Sequence, residues 1–103
     1  MYATVRRYEG IDNDRAAEVT KKVGETLIPS LSKLPGFGGY YLIEAGNGVM
    51  TSVSLFDTSA HAEESTQLAA KWVQDELLTA VLPNPPKITF GEVVAAQTNR
   101  AGV

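Results

Sequence analysis

Residues 45–48, Ala-Gly-Asn-Gly, constrain this chain more than any other stretch. Asn47 and Gly48 both tolerate positive φ, which the tight turn of a β-hairpin demands. On either side lie runs rich in β-branched and aromatic residues. The spacing predicts two antiparallel strands over 37–44 and 49–57. Any fold for the chain must accommodate that hairpin near its centre.

The flanking segments narrow the choice. Residues 2–8, Tyr-Ala-Thr-Val-Arg-Arg-Tyr, read as a further strand. Asp12 or Asn13 can then cap a helix from about residue 13 to the low thirties. Ala16, Val19, Val23, Leu27, Leu31 and Leu34 recur every three or four residues and form one buried stripe. Pro29 interrupts it, because proline lacks the N–H and crowds the carbonyl four residues back. A kink near Leu27–Pro29 is expected, with a short continuation to Leu34 before Pro35-Gly36 stops the helix. A second helix starts at Thr58 or Ser59 and carries Ala62, Leu68, Ala69, Trp72, Val73 and Leu77 on one side. The prolines of 83–87 keep that segment extended. Residues 88–96 form a last strand, and the patternless tail 97–103 frays. The order β-α-β-β-α-β is the ferredoxin-like arrangement, an α+β fold. It gives a four-stranded antiparallel sheet with two helices on one face, in one domain over 1–96.

Composition excludes several classes of function. A formal net charge of −3 argues against a nucleic-acid partner. There is no cysteine, which removes disulfides, thiol chemistry and cysteine-held zinc. With His61 the only histidine, a two-histidine metal motif is impossible, and no metal site is expected. No apolar run approaches the roughly 20 residues that span a bilayer. Nor does the start of the chain show an apolar signal region, so the reading is a cytoplasmic protein with no membrane partner.

The strands carry apolar groups on both faces. Tyr40, Tyr41, Leu42, Ile43, Met50, Val53, Leu55, Phe56, Val93 and Val94 do not divide into a buried and a wet set. A half-exposed sheet would alternate more cleanly. Two helices in so short a chain cover one face only. The other face calls for a partner, and a homodimer with two sheets packed face to face supplies it.

Leu34-Pro35-Gly36-Phe37 after the first helix, the strand bearing Tyr40 and Tyr41, and a third strand running through Ser54-Leu55-Phe56-Asp57-Thr58 together resemble the antibiotic biosynthesis monooxygenase-like family. That family belongs to the dimeric α+β barrel superfamily, and the resemblance spans nearly the whole chain. It implies a ferredoxin-like protomer, a dimer whose sheets form a barrel, and a small-molecule pocket between sheet and helices. Some members oxidise polyketide aromatics or quinols with no metal or flavin, so no cofactor is implied. Others degrade haem. By register from Leu34–Phe37, the Asn, Trp and Tyr of the polyketide-oxidising members fall on Ser52, Phe56 and Ala62 here.

Three side chains are candidates for catalysis. His61 titrates near neutrality and could act as a base, or could be an exposed first-turn residue. Arg6 and Arg7 point to opposite faces of one strand. An inward Arg6 could hold an anionic substrate or an enolate, or could form an internal ion pair with Glu92. Ser52 shares a strand face with Ser54, Met50 and Phe56, where small polar groups could line a cavity. Tyr8, Tyr40, Tyr41, Phe56 and Trp72 are candidates for the wall of an aromatic ligand site, or for core and interface packing. The resulting expectation is a cofactor-independent oxygenase acting on a small aromatic or enolisable molecule. The alternative is a non-catalytic dimeric module that binds a small ligand or serves in stress.

Overall fold

The computed structural model describes residues 1–76, 78, 79 and 81–97. Its elements are β1 (Tyr2–Tyr8), α1 (Ala16–Lys22), α2 (Ile28–Ser32), β2 (Phe37–Gly46), β3 (Val49–Phe56), α3 (Ser59–Asp75) and β4 (Lys87–Glu92). The predicted hairpin is β2–β3, with Asn47 at φ 54° and Gly48 at φ 75°. All neighbouring strands are antiparallel, in the order β2-β3-β1-β4. This is the ferredoxin-like sheet, with α1, α2 and α3 on one face. Leu77 and residues 98–103 lie outside the described residues.

Side-chain capping fixes the helix starts. The Asp12 carboxylate accepts from the Asp14 N–H and opens a 3₁₀ turn over Asn13–Arg15 that leads into α1. Asn13, the other candidate cap, instead accepts from the Gly48 N–H at 3.1 Å and clips the hairpin tip to the β1–α1 connection. A Cβ at Gly48 would sit 2.7 Å from the Ile11 carbonyl, so only glycine permits that approach. Thr58 caps α3 by accepting from the His61 N–H.

The kink expected at Leu27–Pro29 takes a different form. A π-helical turn over Val23–Leu27 joins α1 to α2, and the Ile28 N–H reaches the Val23 carbonyl five residues back. The widened turn accommodates Pro29 near the start of α2 without breaking the stripe. Regular helix ends at Ser32, and Leu34 follows in a turn, its N–H donating to the Leu31 carbonyl and its side chain packing against the core. β4 also ends earlier than residue 96. Its pairing with β1 closes with the Val93 N–H donating to the Met1 carbonyl at 2.9 Å.

The core lies between sheet and helices. Val19, Val23, Leu27 and Leu31 pack on Met50 and Phe56, with Ala62 and Ala69 from α3 and Leu78, Val81 and Leu82 beyond it. β3 alternates strictly, burying Met50, Ser52, Ser54 and Phe56. Among the described residues no helix is long and apolar enough to cross a membrane.

Candidate functional site

Alternation along β1 turns Thr4 and Arg6 toward the helices. Arg6 is 4% exposed. Across the sheet it stands opposite Ser52 on β3 and Ile88 on β4. Its Nη2 donates to Thr66 Oγ1 of α3 at 2.7 Å, and its Nη1 to Ser54 Oγ at 3.4 Å. Among the described residues no carboxylate pairs with it. The internal ion pair with Glu92 does not form, because Glu92 is four pairs farther along β4, opposite Tyr2. Arg7 on the outer face does find acid, bonding Glu9 at 2.8 Å. Burial lowers the Arg6 pKa, and nearby Tyr8 and Tyr40 partly oppose that. A guanidinium this deep normally has an anion beside it. Here hydroxyls alone receive it.

Arg6 lines two cavities. One is a cleft of about 520 Å³ between α3 and the residues that lead into β4, walled by Tyr8, Val73, Gln74, Leu82, Asn84 and the prolines around it. That volume falls in the range of small-molecule sites. The proline-rich segment is latched by Asn84, whose Nδ2 donates to the Glu9 carbonyl at 3.0 Å. The second cavity, of about 30 Å³, lies deeper between Arg6, Tyr40, Ser52 and Trp72. It has room for about one water. Burial raises the pKa of both Tyr8 and Tyr40, which keeps each a neutral phenol able to donate a hydrogen bond.

The candidate side chains separate. Arg6 and Ser52 come together, with Tyr8, Tyr40 and Trp72 around them. Trp72 also donates from Nε1 to Thr26 Oγ1 at 2.7 Å, tying α3 to the first helical run. His61 lines neither cavity. Its Nδ1 lies 2.6 Å from Asp57 Oδ1, above the turn at Gly36. Asp57 was overlooked as an orienting acid, although it stands four residues before His61. The carboxylate precedes the helix, so helical face arguments pass over it. Tyr41 points to the outer face and is 61% exposed, because it is out of phase with Tyr40. Phe56 is 1% exposed and meets Phe37 edge to face, so it is core and not cavity wall. Thr66 escaped the sequence reading. Its signal is the short side chains Ala62, Ser65, Thr66 and Ala69 along α3, which let an arginine reach the helix.

No protein-family model and no curated protein sequence matches the chain. Solved structures do. A monooxygenase from the ActVA-Orf6 gene of Streptomyces coelicolor, in complex with the ligand nanaomycin D, superposes with a TM-score of 0.74 at 13% identity, over 95% of this chain and 91% of the other. An antibiotic biosynthesis monooxygenase gives 0.69 at 13% identity, over 92% and 100%. The fold is that of the antibiotic biosynthesis monooxygenase-like structures. A dimeric ferredoxin-like protein from an uncultured marine organism is similar too, with a TM-score of 0.70 at 15% identity, over 95% and 98%. At such identities these monooxygenase-like neighbours speak for architecture, and chemistry must be argued from the residues.

Proposed function

We propose that the chain binds a small anionic aromatic or enolisable molecule in the Arg6 cleft and oxidises it with molecular oxygen, without metal or flavin. One observation carries this reading: a buried guanidinium, satisfied only by hydroxyls, lines a cleft of about 520 Å³. A phenolate, enolate or carboxylate oxygen beside Arg6 gives the cation its missing counter-charge. The same contact favours the ionised form of an enolisable substrate. Its carbanion reduces oxygen directly. Recombination gives a hydroperoxide, and loss of water leaves a carbonyl. A methylene group and dioxygen thus become a carbonyl and water, with no outside electron donor. Neutral Tyr8 supplies a further donor in the cleft, beside the apolar side chains of Val73, Leu82 and Ile88.

A second reading is supported by a specific observation. Among the described residues neither imidazole nor carboxylate lines the cleft. Without a base, the site would hold a ligand that arrives already ionised, as a non-catalytic binding module does. Calorimetric titration with aryl carboxylates, together with oxygen uptake on a panel of phenols that carry an activated methylene, separates the two. Binding with oxygen uptake supports the oxygenase, and binding alone supports the module. No binding of any anionic aromatic by folded protein overturns both.

The reading includes a homodimer. On the outer sheet face Tyr41 is 61% and Ile43 49% exposed, beside half-buried Val5, Val53 and Leu55. Packing two such faces removes this apolar surface from water. The dimeric ferredoxin-like neighbour is consistent with it. Sedimentation should give twice the chain mass, and a stable monomer at micromolar concentration would refute the pairing.

A further inference from the structure

Beyond Thr66 the Arg6 cleft continues as a groove of about 360 Å³ between the start of α3 and β4, lined by Thr4, Ser59, Glu63, Thr66, Ile88 and Phe90. Thr66 and Ile88 line both spaces, so the two abut. The groove differs sharply from the cleft in its chemistry. Where the cleft offers a cation, the groove offers hydroxyls and the Glu63 carboxylate, which enters no ion pair among the described residues. Its floor holds an anomaly. Thr4 is 1% exposed, and its Oγ1 has no hydrogen-bond partner among the described residues. Buried hydroxyls are nearly always paired, and one left unpaired is destabilising. Thr4 lines the groove, so a ligand seated there lies against this side chain. The opposite wall is apolar: Ile88 is 51% and Phe90 48% exposed on the helix-facing side of β4.

We infer that the Thr4–Glu63 groove is a second compartment of the ligand site, which reads a hydrogen-bond donor, an aryl hydroxyl or amine, at the end of the ligand opposite its anionic group. The inference rests on the Arg6 reading above and specifies the substrate class within it. Thr4 and Arg6 are two residues apart on one strand face, which separates the two polar ends by about 7 Å. Between them an apolar or aromatic body lies against Ile88 and Phe90. Glu63 can only accept, so the far group must donate. Thr4 gains the partner that the fold withholds.

The test compares three ligands sharing one carboxylate: phenylacetate, 4-hydroxyphenylacetate and 4-aminophenylacetate, titrated by calorimetry into the full chain. One of the two donor-bearing ligands should bind about tenfold more tightly than phenylacetate, the gain of one well-made hydrogen bond. Which one does so distinguishes hydroxyl from amine. Thr4→Val, close to isosteric, should abolish that advantage and leave phenylacetate binding unchanged. Glu63→Gln, at an exposed position, should weaken it with the fold intact by thermal melting. Equal affinity for all three ligands overturns the second compartment and leaves the Arg6 site standing. An advantage that survives both substitutions also overturns it. If none of the three binds, the compartment falls, and the Arg6 reading falls with it when the wider set of anionic aromatics also fails to bind.

Discussion

Under the first helical run the sheet meets aliphatic side chains; under α3 it meets hydroxyls and a guanidinium. Val19, Val23, Leu27 and Leu31 close over Met50 and Phe56, and the space remaining beside Arg6 and Ser52 is about 30 Å³. On the α3 side the contacts are Thr4, Arg6, Ser54, Ser65 and Thr66, all but the last nearly inaccessible, beside a cleft of about 520 Å³. The same sheet therefore carries a closed half and an open half. Side-chain size makes the difference. Branched residues on the first helical run fill their half to core density, whereas Ala62, Ser65 and Ala69 hold α3 close to β1 without filling the far side. One half provides cohesion, and the other provides room.

The largest expected effect tests the closed half. Phe56→Ala removes a ring that is 1% exposed and packed edge to face on Phe37. A stability loss of about 3–5 kcal/mol is expected in urea denaturation, since so dense a region relaxes little around the cavity. A loss under about 1 kcal/mol would erase the distinction between the halves. Next comes the seam where α3 joins β2. Gly36 has φ +77°, and a Cβ there would overlap the Asp57 carboxylate and approach His61 Nδ1 to 2.6 Å. Gly36→Ala should destabilise by roughly 1–3 kcal/mol, read from the same denaturation midpoint. This explains physically why a glycine follows Pro35.

Arg6→Met tests the open half and should do the reverse. The variant trades a desolvated, acid-free cation for an apolar chain of similar length. Stability should hold, or rise by up to about 1 kcal/mol. Binding of an aryl carboxylate should fall more than tenfold, the scale of a lost charged hydrogen bond. Large destabilisation with affinity unchanged would make Arg6 a structural residue.

The hairpin, the first-run stripe and the order of elements were legible because they depend on local chemistry: Asn47-Gly48 for the turn, Leu27 and Leu31 for the buried face, Thr58 for the cap. Opposite orientations of Arg6 and Arg7 followed from strand geometry alone. What Arg6 meets did not. Its nearest partners stand 48 and 60 residues away, and hydroxyls carry no charge pattern to reveal the match. The form of the Pro29 distortion was hidden for another reason. A π turn and a kink both satisfy a proline at that spacing, and the choice is set by packing of Val23 and Leu27. The cleft wall arises when the segment around Asn84 folds back on Glu9, a contact between residues 75 apart.

The smallest effect concerns the seam and its pH dependence. The Asp57 carboxyl is held below its ordinary pKa first by the hydrogen bond to His61, with desolvation opposing. A carboxyl depressed in the folded state adds stability above its unfolded pKa, and that contribution disappears as the pH falls through the folded value. The window therefore lies below about pH 4. His61→Ala should move the Asp57 midpoint upward toward the ordinary range in a carboxyl NMR titration, and should flatten that part of the acid limb of the melting curve. Affinity at Arg6 should stay unchanged, because His61 lines neither cavity beside it. A parallel loss of ligand binding would couple the seam to the open half, and would return His61 to the chemistry from which its position removes it.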